Sequence, residues 1–382
     1  METPTYKQMD RAYGFEEVAI VPGDITINPE QTNIDFTLEN ITFSLPVLAA
    51  AMDGVVDVSF SVAYSKRGGL AVLNLEGVQT RYESPDEIIK EIISAPQSEV
   101  TSVLQKVYST PIKEKLIGER IQAIKRGGGI CAVSVTPQNA KNFCKIILEA
   151  GVDVLVVQST VTTARHASKS YKGLIFSELS KWMEGTPVVV GNVVSYSSAL
   201  ELMRCGISAL LVGVGPGAAC TTREVLGVGV PQVTATMECA AARETFLKET
   251  GKYVSLVTDG GIRSGGDLCK AIASGADAVM LGSSFAMAEE APGKGFHWGM
   301  ANPHPTLPRG TRIKVGIRGN LDRILFGPAS VTDGTQNFIG ALRTCMGVCG
   351  AATVKEMHSA RMVIAPAIKT EGKFYQGVQA CQ

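Results

Sequence analysis

ALLVGVGPGAACTTREVLGVGVPQVTAT, residues 209–236, starts as an apolar run over 209–214. It then breaks into a loop of glycine, proline and alanine that ends in Cys220, and Thr221 and Thr222 come next. A short apolar run feeding a glycine-rich loop is how a buried parallel strand carries a reactive side chain to its carboxyl end. Cys220 is therefore a candidate nucleophile. The competing reading is a small buried hydrophobe, the usual fate of a free cysteine. The glycine-lined loop argues for an accessible sulfur, and backbone amides or a helix start favour the thiolate. Thr221 and Thr222 suit a hydrogen bond to a substrate or a water, or a helix cap ahead of Arg223 and Glu224.

Seven further apolar runs lie at 46–52, 69–73, 130–135, 152–157, 187–190, 254–258 and 278–281. Helical periodicity fills gaps between them, at 58–66, 137–150, 195–205, 237–249 and 264–274, the last stopped by Gly275. Eight strands alternating with helices favour a closed parallel barrel, a single-domain (β/α)8 TIM barrel of the α/β class. An open doubly wound sheet is the competing arrangement. Its first-turn GxGxxG is absent, and Gly213, Gly215 and Gly217 come only after the sixth run. Residues 34–38 and 41–45 read as short strands ahead of the barrel. Residues 77–129 are polar and helical in pattern, over 85–94 and 113–126, with no strand among them.

The chain has 382 residues, 45% hydrophobic and 19% charged, with ample material for a large core. Its formal net charge is +0, so no basic footprint argues for nucleic acid or an anionic membrane. No window reaches about 18 uncharged apolar residues. The amino-terminal METPTYKQMDRAYGF has no positive region followed by an apolar one. A soluble, cytoplasmic protein is the expectation. Nine cysteines without regular spacing read as reduced thiols. Cys345 and Cys349, in TCMGVCG, allow a metal pair, with small-residue packing preferred.

In a barrel the site lies at the carboxyl ends of the strands. Those ends collect Asp53, Asn74, Ser159, Asn192, Cys220, Asp259 and Ser283. The loops DGGIR (259–263) and LGSS (281–284) are glycine-rich and open onto helices. The last two barrel loops commonly bind phosphate in this way, through backbone N–H groups. The alternative is that these glycines only permit tight turns. Asp259 offers acceptors that match a pair of sugar hydroxyls, against the alternative of a helix cap.

Together these residues resemble the IMP dehydrogenase/GMP reductase family over nearly the whole chain. The matching stretches are FEEVAIVP (15–22), LPVLAAAMD (45–53), GNV (191–193), 213–222, 225–235, DGGI (259–262), MLGS (280–283) and EAPG (290–293). The G-x-G-x-x-C-x-T loop with its downstream D-G-G is the most specific of them. The resemblance implies that the Cys220 thiolate attacks C2 of a purine nucleotide and that hydride passes to NAD. In the dehydrogenase the adduct is hydrolysed to XMP, as part of guanine nucleotide synthesis. The reductase runs a related path from GMP to IMP, with ammonia leaving. By the same resemblance Thr222 positions or activates the attacking group, and Asp259 holds the ribose hydroxyls. Gly261, Gly282 and Ser283 bind the phosphate, and Met52 and Asn192 pack near the base. Gly217, Ala218, Gly260, Gly299 and Met300 complete the substrate side. Gln158, Ser159 and Thr160 fall on the nicotinamide-side turn, with Gly213 beside the cofactor. The carbonyls of Gly215, Gly217 and Cys220 match a potassium (K+) site, which Glu371 and Gly372 of a neighbouring subunit complete. A homotetramer is implied.

The departures are specific. Gln158 stands where the dehydrogenases carry Asp, Ala218 replaces a phosphate-binding serine, and Leu211 replaces an arginine. Residues 77–129 stand in place of the regulatory CBS pair. The flap region, 296–318, is short: HWGM (297–300) matches the family's Tyr-Arg-Gly-Met, and LPRG (307–310) comes after it without the expected Arg-Tyr pair. Arg309 falls where the family places Gln or Glu against the base. It reads as a donor to the purine or as the missing cation, and equally as a solvated arginine in a basic stretch. The C-terminal segment, 360–382, carries KTEG (369–372). C-T-T-R and GVGVPQ lean to the reductase, whereas KTEG and the absent glutamate at 309 lean to the dehydrogenase. The expected function is IMP dehydrogenase, in a short bacterial branch without CBS domains. The alternatives are GMP reductase and a non-catalytic regulator that binds purine nucleotides.

Overall fold

Successive side chains of a strand point to opposite faces, so a run that is apolar throughout must be covered on both. Each of the eight runs meets that requirement by forming one strand of a closed barrel. The computed structural model describes residues 9–166, 173–299 and 312–365. The strands are β1 (Val47–Ala49), β2 (Leu70–Asn74), β3 (Ala132–Val135), β4 (Val154–Gln158), β5 (Val188–Val193), β6 (Ala209–Val212), β7 (Ser255–Asp259) and β8 (Ala278–Leu281). Each pairs in parallel with its successor, and β8 returns to β1 through Val279 opposite Val47 and Leu281 opposite Ala49.

The alternation sorts the core into two layers. Leu48, Val72, Val156, Leu211, Val257 and Met280 fill the barrel interior. Their neighbours Val47, Leu73, Val157, Leu210, Leu256 and Val279 pack outward against the helices. Leu211, which the resemblance sets where an arginine is expected, faces inward, and a Cβ at Gly191 would lie only 2.5 Å from its own. The N-terminal end of the barrel is stopped by a hairpin of Phe36–Leu38 and Ile41–Phe43. Phe36 and Phe43 stack at 6.0 Å, buried with the interior residues, and Ser255 at the start of β7 donates to Thr37 O at 3.3 Å. Only the carboxyl end is left for a ligand.

The connecting helices include Val58–Ser65, Pro137–Glu149, Tyr196–Met203, Gln232–Thr250 and Gly265–Ala273. Asp57 caps the first by accepting from Phe60 N at 2.6 Å, and Ser264 caps the last. Gly275 comes next with φ +108°, as the stop signal requires. The helix expected over 237–249 starts earlier, at Gln232 behind Pro231. Its first turn, QVTA, carries no apolar stripe and so has no helical period.

Residues between β2 and β3 form four helices: Val78–Arg81, Pro85–Ser94, Val100–Ser109 and Glu114–Arg126. Val100–Ser109 is not among the expected helices, since β-branched residues weaken its propensity. It forms because Val100, Leu104, Val107 and Tyr108 bury one face. Past β8, Phe296–Trp298 pairs antiparallel with Arg312–Lys314, and Val18–Ile20 pairs with Met362–Ile364. Among the described residues no helix is long and apolar enough to cross a membrane.

The aromatic stopper predicts a measurable loss. Phe43→Ala removes a fully buried ring and should cost about 3–5 kcal/mol, read from the shift in denaturant midpoint. An unchanged midpoint would show that the hairpin does not seal the barrel.

Candidate active site

The loop after β6 delivers Cys220 to the open end. Gly213 begins it with φ +145°, and a Cβ there would lie 2.2 Å from Asp259 O, so only glycine fits. The loop turns on a bond from Cys220 N–H to Gly217 O at 3.0 Å. Cys220 is half-buried, and its Sγ donates to Thr222 Oγ1 at 3.1 Å. Thr222 is buried and begins the short helix Thr222–Leu226. Thr221 sits at the cap position but makes no side-chain capping bond. Thr222 is thus the threonine that serves the thiol. Cys131 and Cys239, by contrast, are buried in the core, where desolvation pushes their thiols up to about 12. Ala218 is exposed.

Asp259, at the end of β7, accepts from Asn192 Nδ2 at 2.8 Å. Its carboxyl lies deep in the mouth with limited solvent contact. Burial raises its pKa to about 6, partly offset by the Asn192 bond. It caps no helix. Gly260 and Gly261 both take left-handed φ, +89° and +79°, and would each place a Cβ 3.1 Å from Pro216. Loop 7 therefore presses against the cysteine loop. Gln232, which the sequence does not single out, staples the two strands beneath them. Its Nε2 donates to Val212 O at 2.6 Å and to Asp259 O at 2.9 Å.

Asn192 is also held from the other side. Ser159 N–H donates to Gly191 O at 2.9 Å, and Asn192 N–H to Ser159 O at 3.2 Å. Thr162, likewise unforeseen, donates its N–H to Asn192 O at 2.9 Å and its hydroxyl to Gly191 O. Gln158, Ser159 and Thr160 are half-buried in this turn. The Ser159 hydroxyl is shared with Val161 O and Thr162 Oγ1.

The end of β8 lies against the loop after β1. A Cβ at Gly282 would fall 2.9 Å from Met52 Sδ. Ser283 Oγ is 2.9 Å from Nε2 of His297, a buried ring whose pKa desolvation lowers to about 4. His297 is thus a neutral imidazole at ordinary pH. Gly299 is the last described residue before 312. Met300, Arg309, Glu371 and Gly372 lie outside the described residues, as does any contact they make. Of the groups expected to hold potassium, the carbonyls of Gly215, Gly217 and Cys220 share one loop, and that of Gly217 already accepts the Cys220 N–H.

Away from the mouth, Cys345 and Cys349 lie one turn apart on Phe338–Cys349, and Cys345 meets Cys269 of Gly265–Ala273. Among the described residues no group of three His, Cys, Asp or Glu is arranged to hold a metal.

The mouth thus joins a thiol and hydroxyl on β6, a carboxylate on β7, an amide on β5 and two glycine turns. Residues 12–302 match the family described as IMP dehydrogenase / GMP reductase domain. An uncharacterized oxidoreductase of Mycolicibacterium smegmatis is 36% identical over 363 residues, spanning 93% of this chain and 96% of the relative. Inosine-5'-monophosphate dehydrogenase of Cryptosporidium parvum is 27% identical over 394 residues, spanning 92% and 91%. The crystal structure of an IMP dehydrogenase/GMP reductase-like protein from Corynebacterium glutamicum has a TM-score of 0.89 and 34% identity, covering 95% of this chain and 97% of that one. The chain belongs to the IMP dehydrogenase/GMP reductase family of oxidoreductases.

Proposed function

We propose that this protein oxidises IMP to XMP through a covalent adduct on Cys220. The observation that carries the reading is the Cys220–Thr222 pair at the mouth, in the loop of the strand that lies between those presenting Asn192 and Asp259. The thiolate adds to purine C2, a hydride leaves that carbon, and water then cleaves the C–S bond to return the thiol and give the 2-oxo product. A bound NAD supplies the hydride acceptor. Gln158, Ser159 and Thr160 suit its carboxamide side, being polar, half-buried and fixed against Asn192. Asp259 takes the ribose hydroxyls, and the turns at Gly261 and Gly282–Ser283 take the phosphate. Thr222, 3.1 Å from Sγ, holds the water that attacks the adduct. Arg309 is assigned to the base side from sequence alone. Potassium at the cysteine loop and a homotetramer are part of the same proposal.

A second reading runs from GMP to IMP, with NADPH as reductant and ammonia leaving. It is favoured by C-T-T-R (220–223) and by a threonine hydroxyl placed where it can pass a proton to a departing amine. The two readings separate in one paired assay. Purified protein given IMP and NAD should form NADH and XMP in equal amounts, faster with potassium than with sodium. NADPH consumed with GMP, and no XMP formed, would sink the first reading. IMP binding with neither turnover would mean a regulator. Cys220→Ala should lose at least about 10³-fold in kcat while still binding IMP.

The raised pKa of Asp259 sets a pH dependence. Below about pH 6 the carboxyl is protonated and offers the diol one acceptor fewer; above it both oxygens accept. Nucleoside affinity should therefore rise as pH climbs through about 6. Inosine carries no phosphate titrating in this range, so its Kd between about pH 5 and pH 8 reads Asp259 directly. We expect a several-fold fall in the wild type and a flat profile in Asp259→Asn; a flat wild-type profile would exclude the ribose role. Stability runs the other way. The folded pKa exceeds the unfolded value of about 3.9, so the Asp259 contribution is lost as pH rises from about 4 to about 6.

A further inference from the structure

Tyr108 lies on Val100–Ser109, within the helical segment between β2 and β3 and away from the short motifs quoted for the family resemblance. Its side chain is buried, and its hydroxyl joins two loops at the barrel mouth. It donates to Asp53 Oδ2 at 2.6 Å and accepts from Trp298 Nε1 at 2.7 Å. Asp53 and Trp298 are both fully buried. Asp53 is the residue after Met52, and its Oδ2 also accepts Val78 N–H at 2.9 Å. Trp298 is the residue after His297, whose Nε2 is 2.9 Å from Ser283 Oγ.

These loops are packed without slack. A Cβ at Gly54 would lie 2.7 Å from Phe296 O and 3.2 Å from the Trp298 ring, and one at Gly77 2.1 Å from Asp53 Oδ1. The strand paired with Trp298 is tied to the same helices. Arg312 Nη1 donates to the carbonyls of Ile92, Ile93 and Ala95, at 2.6, 2.8 and 2.9 Å, around the end of Pro85–Ser94. A phenol has one hydrogen to donate, and the Asp53 carboxylate can only accept. That fixes the direction of the Tyr108 O–H and leaves its lone pair for the indole N–H.

We infer that Tyr108 is a positioning residue: it holds Trp298 and His297, and through them Ser283, so that the helices of 78–126 set the phosphate end of the nucleotide site. The inference rests on the nucleotide reading of the proposed function and goes beyond it by giving this helical segment a part in the site.

The test uses protection of Cys220 from iodoacetamide by added ligand, which reads occupancy of the mouth. In Tyr108→Phe the half-protecting concentration of IMP should rise about 10-fold, since a buried indole N–H loses its acceptor. That of inosine, which lacks the phosphate, should stay within about twofold. Trp298→Phe, which leaves the Tyr108–Asp53 bond in place, should shift IMP protection in the same direction, and the double variant should be no worse than Tyr108→Phe, because both lack the indole–phenol and the phenol–Asp53 bonds. The double variant also leaves no indole N–H unpaired, so it separates a shifted loop from a damaged core. Equal losses for IMP and inosine, additive losses in the double variant, or unchanged IMP protection would each overturn the inference. If IMP fails to protect the wild type, the nucleotide reading itself falls.

Discussion

Closing eight parallel strands leaves no free edge, and it demands apolar side chains on both faces of every strand. Polar chemistry is thereby driven out of the barrel wall to the strand ends. With the aromatic hairpin of Phe36 and Phe43 stopping one end, a single mouth remains. Cys220, Asp259, Asn192 and Ser283 share that mouth although they lie far apart in sequence, because each sits at the end of a strand or in the loop after it. The site is a consequence of closure, and the glycines around it let its loops approach one another where side chains would collide.

The same constraint explains what could be read from the sequence. A strand buried on both faces has a signature of its own, a short unbroken apolar run, and all eight were legible. Cys220 and Asp259 were legible because chemistry and position coincide in them: each lies where an apolar run gives way to a glycine-rich turn. The helix Val100–Ser109 was not, because its stability comes from burying one face rather than from propensity. Gln232, Thr162 and Tyr108 were not, because their roles exist only in contacts across the chain. Gln232 bonds the ends of two strands, Thr162 bonds Gly191, and Tyr108 meets a tryptophan 190 positions away. Amide, hydroxyl and phenol groups carry no local pattern that announces such partners.

In the proposed mechanism the adduct forms on the loop after β6, which backbone contacts hold in place. Another side of the mouth carries His297 and Trp298, next to Ser283. That side is supported not by the barrel alone but by the helices between β2 and β3, through Tyr108 and Arg312.

The Gln232 staple carries one more consequence. Its amide bridges Val212 O and Asp259 O, so the strand bearing the thiol and the strand bearing the carboxylate are joined just below their tips. The interval between them is set by backbone geometry and not by side-chain rotamers. In the proposed reaction it acts as a ruler: a ligand anchored by its sugar at one mark would present to the sulfur whichever ring atom lies at the other. Discrimination among bases would then begin as a measurement of length, made before any hydrogen bond to the base edge is formed.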